Sequence, residues 1–392
     1  MKTHPARWLW VGHALPNLKV TCYDSLMRTP TPLLQQQQGL EFVFGVIVMA
    51  NLFGRGQRGW RGAVCPIAVY LKTYVLGVSM SNSEPATFAS TSVHQACDFA
   101  QMDVFAEQPL QGNALAVFTD ARGLTTEEMQ SIARETNLSE TTFILPRAAE
   151  VEREHGVQVR IFTVREELEF AGHPTLGTAS WLYLNHPVFA GAAEITLDLR
   201  VGRIPVSFST QQDGPGVYAT MRQNDPAFGQ IHEPSAIAKA LGLAVEDLDP
   251  SVPAQTVSTG IPFCIVPLRS LEVAARLAIP QALAQAYLAG SDAKFFHCIT
   301  RASAGSGADW HARMQFYNGE DPATGSASGC AIAYLIQYSL AASGQPIVLE
   351  QGIEMLRPSR IYVQATSTGG HISDVRVGGR TIPIACGRFF LP

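Results

Sequence analysis

The 392-residue sequence predicts an α+β fold of two pseudo-symmetric halves, each a curled, mostly antiparallel sheet wrapped around a central helix. Three observations predict it. The stretches HPTLGTA (173–179) and DPATGSA (321–327) share the frame x-P-x-x-G-[ST]-A and lie 148 residues apart, close to half of the chain from Cys97 onward. Each follows an Arg-led extended run, RIFTVREELEFAG or RMQFYNGE, and each leads into an apolar segment with helical spacing. Around them, alternating apolar and polar stretches broken by Gly read as half-buried strands. A turn of this kind repeated once implies a duplicated architecture. The halves are expected at 97–222 and 223–392, the last strand crossing back to the first half, with 1–96 an N-terminal extension outside the fold.

In chain order, 99–106 and 114–118 read as strands joined by the Pro/Gly loop EQPLQGN. LTTEEMQSIARETN reads as a helix: Thr125 and Glu128 are spaced as a capping box, and Met129, Ile132 and Ala133 share a face. NLSETTFIL carries the chain into an apolar strand, and 158–163 follows as another. Glu166, Glu167 and Glu169 read as a solvated loop or edge, and a central helix is expected to start near Thr178. GAAEITLDLRVGRIPVSF and GPGVYATMRQ alternate as antiparallel strands. In the second half, PSAIAKALGL and LEVAARLAIPQALAQAYL read as helices, STGIPFCIVPL and KFFHCIT as strands, and 302–308 as a flexible loop. After a helix through Leu340, IVLEQG, SRIYVQAT, DVRVGG and TIPIACGRFFL read as short strands with turns between them.

Composition narrows the function. With 46% hydrophobic and 16% charged residues the chain reads as an ordinary soluble globular protein with room for two domains. The net charge of −5 is uneven: residues 1–79 hold eight Lys/Arg against Asp24 and Glu41, leaving the remainder acidic. No basic stripe interleaved with aromatics follows residue 80, which argues against a nucleic-acid partner. The seven cysteines are scattered and never spaced C-x-x-C, as expected of reduced thiols in a reducing compartment. Residues 1–79 also hold three of the five Trp and a QQQQ run. Their apolar patch, FVFGVIVMANLF, is 12 residues long. That falls short of the roughly 20 that cross a bilayer, so no membrane partner is expected. A disordered or spuriously translated leader ahead of Met80, an organelle-targeting leader and a membrane anchor stay open for this segment. The body is expected in the cytoplasm.

The two strand-to-helix junctions carry the chemistry. The first backbone N–H groups of a helix have no partner within it, and the macrodipole adds positive potential, so a carboxylate or developing oxyanion is stabilised there. His173 on one turn and Asp321 on the other form an acid/base pair if the turns converge. N–H groups near Gly177, Thr178, Gly325 and Ser326 would then hold a substrate's acid group. The bland alternatives are a helix-capping Asp with Pro in the first turn, and a His that merely starts a helix. Glu140 reads from composition as a solvated loop charge, and Asn113 as the second residue of a Gly-Asn turn.

GNALAVF from Gly112, NLSETTF from Asn137, FAGHPTLGTA from Phe170 and EDPATGSA from Glu320 occur together and in order. In these motifs the chain, from about Asp98 to Pro392, resembles the PhzF-like isomerases of phenazine biosynthesis, a branch of the diaminopimelate-epimerase-like fold. The resemblance implies that Glu140 moves a proton from one substrate carbon to another, with His173 and Asp321 assisting, and that Asn113 lines the substrate site. It also implies a homodimer. The chain departs from the family pattern at Val164, where Pro usually follows the FT pair.

Other chemistries have less support. GSASG (325–329) is not a G-x-S-x-G elbow, because its centre is Ala327. No H-E-x-x-H, paired C-x-x-C or Walker loop occurs, so neither metal nor cofactor is expected. Related epimerases use one Cys from each half, whereas neither turn here carries Cys, and Cys330 lies more than two helical turns past Asp321. The expected function is a cofactor-free isomerase acting on a small carboxylate. An amino-acid epimerase or racemase of the same fold, and a non-catalytic ligand-binding protein, remain as alternatives.

Overall fold

The computed structural model describes residues 95–391 except 211–212 and 304–305. The readings of residues 1–79 fall outside them. In chain order the elements are β1 Gln95–Val104, β2 Asn113–Phe118, α1 Thr126–Thr136, β3 Glu140–Leu145, α2 Ala149–His155, β4 Val157–Phe162, β5 Glu167–Leu168, α3 Gly172–Asn185, β6 Glu194–Leu199, β7 Gly202–Phe208 and β8 Val217–Arg222. There follow β9 Ala227–Ile231, α4 Pro234–Leu241, β10 Gln255–Ser258, β11 Pro262–Pro267, α5 Leu271–Ala275, α6 Gln281–Leu288, β12 Phe295–Arg301, β13 Trp310–Phe316, β14 Gly319–Asp321, α7 Gly325–Gln337, β15 Ile347–Gln351, β16 Ser359–Thr368 and β17 His371–Leu391. The fold class is α+β. Among the described residues no helix is long and apolar enough to cross a membrane.

Pairing runs in a closed circuit: β1 with β2, β2 with β3, β3 with β4, β4 with β6, β6 with β7, β7 with β8, β8 with β17, and β17 back to β1. Helix α3 lies against seven of these strands, so the sheet surrounds it. Its sequence suits that position, because GHPTLGTASWLYLN has no charged residue and so no polar face to turn to water. Its buried hydroxyls are satisfied locally: Thr175 and Ser180 Oγ donate to the carbonyls four residues back at 2.7 and 2.8 Å. A second curled run, β9-β10-β11-β12-β13-β15-β16-β17, packs on α7 through β10, β11, β16 and β17. Outside the sheets, α1 covers Phe118, Phe143 and Phe162, while α4 to α6 cover Cys264, Val266 and Phe296. Helix α1 has the capping box its sequence predicts, with Thr125 Oγ1 accepting from Glu128 N at 3.2 Å and Glu128 Oε2 accepting from Thr125 N at 2.7 Å.

Several boundaries differ from the sequence reading, each for a physical reason. Residues 97–222 and 223–391 lie in one compact unit. Within it the last strand, β17, pairs with β16 on one side and with β8 and β1 on the other, so it joins both runs of strands. DVRVGG and TIPIACGRFFL are one continuous strand, because Gly378 and Gly379 allow close approach instead of making a turn. A methyl group at Gly379 would lie 2.5 Å from Phe105 Cδ1, and one at Gly378 would lie 2.7 Å from Thr220 Oγ1. Pro280 divides the expected helix LEVAARLAIPQALAQAYL into α5 and α6, since it lacks the N–H an uninterrupted helix requires. Helix α7 ends at Gln337, short of Leu340. Helix α3 begins at Gly172, six residues before the expected start. Finally, Glu167 is not a solvated charge: it is 13% exposed and receives Arg160 at 2.7 Å and Arg200 at 3.1 Å.

Candidate active site

Four side chains far apart in sequence meet at the ends of four elements. Asn113 opens β2, Glu140 opens β3, His173 is the second residue of α3, and Asp321 closes β14. Each position follows from local chemistry. The left-handed backbone at Asn137 (φ 50°) ends α1, after which the chain turns directly into β3. Parallel pairing sets Leu115 opposite Glu140, which brings the starts of β2 and β3 together. On the other side, β13 and β14 form a hairpin with Met314 opposite Asp321, delivering Asp321 to the entry of α7.

Asn113 ties the group together. Its Nδ2 donates to Asp321 Oδ1 at 2.6 Å and to Ala323 O at 2.9 Å, and it lies 3.1 Å from His173 Nδ1. An amide nitrogen carries two protons, and the two shorter contacts, both to pure acceptors, take them. His173 Nδ1 also faces Glu140 Oε2 at 3.6 Å. Thr324 Oγ1 donates to the second Asp321 oxygen at 2.6 Å, and the Ser139 hydroxyl also bonds this carboxylate. Within this cluster two buried atoms, Glu140 Oε2 and His173 Nε2, have no hydrogen-bond partner. Buried polar groups are almost always satisfied, and both atoms keep the capacity to bond a ligand's polar atoms.

Burial dominates the electrostatics. It pushes the Glu140 carboxyl well above its ordinary range, and the negative charge of Asp321 pushes it further. Asp321 is raised to about 6, again chiefly by burial, and is held back by its hydrogen bonds from Thr324, Ser139 and Asn113. His173 is lowered to about 3 by burial, so it is neutral throughout the physiological range. The arrangement therefore holds two carboxyls that bind their protons more tightly than in water, beside an imidazole that can donate or accept without changing charge.

The helix entries abut. A methyl group at Gly172 would lie 2.4 Å from Ser326 N and 2.6 Å from the Gly325 carbonyl carbon, so only glycine lets α3 and α7 meet this closely. The N–H groups of Gly172 and His173 on α3, and of Gly325 and Ser326 on α7, lie in first turns and lack acceptors within their helices.

Gly177 and Thr178 need a correction. Because α3 starts at Gly172, they lie in its second turn and their N–H groups are used by the helix. Gly177 instead clears the sheet, where a methyl group would lie 2.6 Å from Leu115 Cδ2, and Thr178 Oγ1 donates to Thr142 Oγ1 at 2.9 Å. The sequence reading missed Gln351 and Thr324. Thr324 carried a usable signal, standing directly before a helix, whereas Gln351 lies 30 residues from Asp321 at the end of an apolar strand and carried none.

Residues 102–387 match the family described as phenazine biosynthesis-like protein, PhzC-PhzF. A trans-2,3-dihydro-3-hydroxyanthranilate isomerase from Pseudomonas aeruginosa is 36% identical over 296 residues, which cover 75% of this chain and 99% of that protein. The crystal structure of a PhzF-family phenazine biosynthesis protein from Bacillus anthracis is similar with a TM-score of 0.67 at 27% identity, covering 76% of this chain and all (100%) of that one. That of a predicted epimerase from Pseudomonas aeruginosa gives 0.64 at 35% identity, with coverage of 76% and 100%. With the family match spanning most of the chain and the relatives matched over nearly their whole length, the chain belongs to the phenazine biosynthesis-like family and is an isomerase of the PhzF type.

Proposed function

We propose that the chain isomerises a small cyclic carboxylate of the trans-2,3-dihydro-3-hydroxyanthranilate type by moving one proton between two ring carbons, without a cofactor. The observation that carries this reading is the buried cluster of Glu140, His173, Asp321 and Asn113 at the meeting point of two helix entries. The substrate carboxylate sits on the N–H groups of Gly172, His173, Gly325 and Ser326. Glu140, ionised in the complex, takes a proton from a C–H, the electron pair shifts through the adjoining double bonds, and Glu140 returns the proton to a second carbon. Asp321 and neutral His173 hold the substrate's polar groups. Nothing is gained or lost in the cycle, so no external reductant or oxidant enters.

In the same reading the two halves are repeats sharing β17, supported by the paired turn motifs and by α3 and α7, each packed in its own strands. A two-thiol epimerase mechanism has no support at the turns, since Cys330 is buried on α7 beside Thr259 Oγ1 at 3.5 Å. The test is to incubate the full chain with trans-2,3-dihydro-3-hydroxyanthranilate and a panel of amino and hydroxy carboxylates in heavy water. A product carrying solvent deuterium at a new carbon, with a changed ultraviolet spectrum, is expected. Exchange only at a stereocentre, with loss of optical activity, would replace the positional isomerase by an epimerase.

A further inference from the structure

Gln351, the last residue of β15, is fully buried, and its side-chain amide is spent on one turn. Its Nε2 donates to Asp321 O at 2.6 Å and to Thr324 Oγ1 at 2.9 Å, while its Oε1 accepts from Thr324 N at 3.2 Å. The polarity of this chain of bonds is fixed. An amide nitrogen can only give protons, so Thr324 Oγ1 is the acceptor from Gln351 and must spend its own proton elsewhere. That proton goes to Asp321 Oδ2, 2.6 Å away. The remaining oxygen, Oδ1, is taken by Asn113 at 2.6 Å. Both carboxylate oxygens and the carbonyl of Asp321 are thus held, two of the three through Gln351.

We propose that Gln351 is a positioning residue, which clamps the 321–324 turn and sets the direction of the Thr324 hydroxyl, and through it the orientation and hydrogen bonding of the Asp321 carboxylate. It rests on the assignment of Asp321 to the isomerase site. The charged and titratable groups around Asp321 are Glu140 and His173 from the first half and Glu320 beside it, the last neutralised by Arg313. None of them replaces the Thr324 proton. Without Gln351 the Thr324 hydroxyl is released to rotate, and Asp321 loses a bond that favours its charged form.

Gln351→Met keeps the side chain's length and removes every hydrogen bond, and Thr324→Val removes only the hydroxyl. The full chain, labelled with carbon-13 at the aspartate carboxyl, is titrated by NMR, with Asp321→Asn assigning the resonance. The Asp321 midpoint is expected to rise above about 6 in both variants. In the heavy-water assay kcat is expected to fall by about 10-fold with KM little changed, less than the 10²- to 10⁴-fold typical of a lost proton-transfer group. A folded Gln351→Met with unchanged midpoint and kcat would overturn the proposal and leave Gln351 a purely structural residue. If Gln351→Met does not fold, Thr324→Val tests the same hydroxyl, and an unchanged midpoint there is equally fatal. Should the wild-type chain turn over none of the carboxylates, the assigned activity fails, yet the midpoints still decide the clamp.

Discussion

Replacing Glu140 by Gln separates catalysis from folding, because the two respond in opposite directions. The side chain keeps its volume, and Oε2 has no hydrogen-bond partner to lose. An amide cannot carry a proton between carbons, so turnover is expected to drop about 10²- to 10⁴-fold, or about 3–5 kcal/mol of activation free energy. Stability behaves differently. Burial raises the Glu140 carboxyl in the folded state, so the folded protein binds this proton more tightly than the unfolded chain does. The wild type therefore has its full stability from this group below the unfolded carboxyl range and loses it as pH rises through the raised folded value. Gln removes that loss. The melting temperatures of the two proteins are expected to coincide near pH 4, with the variant increasingly the more stable toward pH 8. Mass-spectrometric deuterium incorporation reads the first effect and thermal melts across pH read the second. Retained turnover would move the proton-transfer role to another group, and a variant that melts lower at pH 8 would show that Glu140 is not held in a desolvated site.

Three further outcomes follow from the same geometry. Asp321 lies in the same regime: burial raises its folded value to about 6 from an ordinary 3.8, so its contribution to stability is full below the unfolded value and is lost as pH rises through the folded one, and Asp321→Asn should flatten that part of the stability curve in denaturant titrations. Gly177→Ala places a methyl group against Leu115 and Val104 and is expected to lose about 1–3 kcal/mol of stability while leaving KM unchanged; a raised KM would return Gly177 to the substrate site. Thr125→Ala removes the α1 cap and is expected to cost about 1 kcal/mol with no change in turnover, since α1 lies on the outside of the sheet.

The duplicated frame was legible because its constraint is local. An x-P-x-x-G-[ST]-A stretch between an extended run and an apolar helix announces a strand-to-helix junction wherever it stands, so His173 and Asp321 could be picked out from spacing. Glu140 and Asn113 could not be picked out from spacing, since a loop carboxylate and a Gly-Asn pair are ordinary surface features, and they were found only through the family motifs. The start of the first of these helices was misplaced. Ala171, which caps α3, has no capping side chain to mark the boundary, and Pro174 falls within the first turn, where a missing N–H costs nothing. Gly378-Gly379 was misread as a turn because glycine signals a bend and a close approach equally well in sequence.

The sequence by itself determined the α+β class, the two junctions, the capped helix α1 and the acid/base residue types, all of which depend on neighbours within a few positions. Only the tertiary structure decided that α3 and α7 touch at Gly172 and Ser326, that Asn113 bonds Asp321 beside His173, and that Gln351 bonds a turn 30 residues away. These are long-range facts, set by which strands pair and by how closely two helix ends can approach. The desolvation that raises Glu140 and Asp321 belongs with them, since it comes from everything packed around a side chain rather than from the residues beside it in the chain.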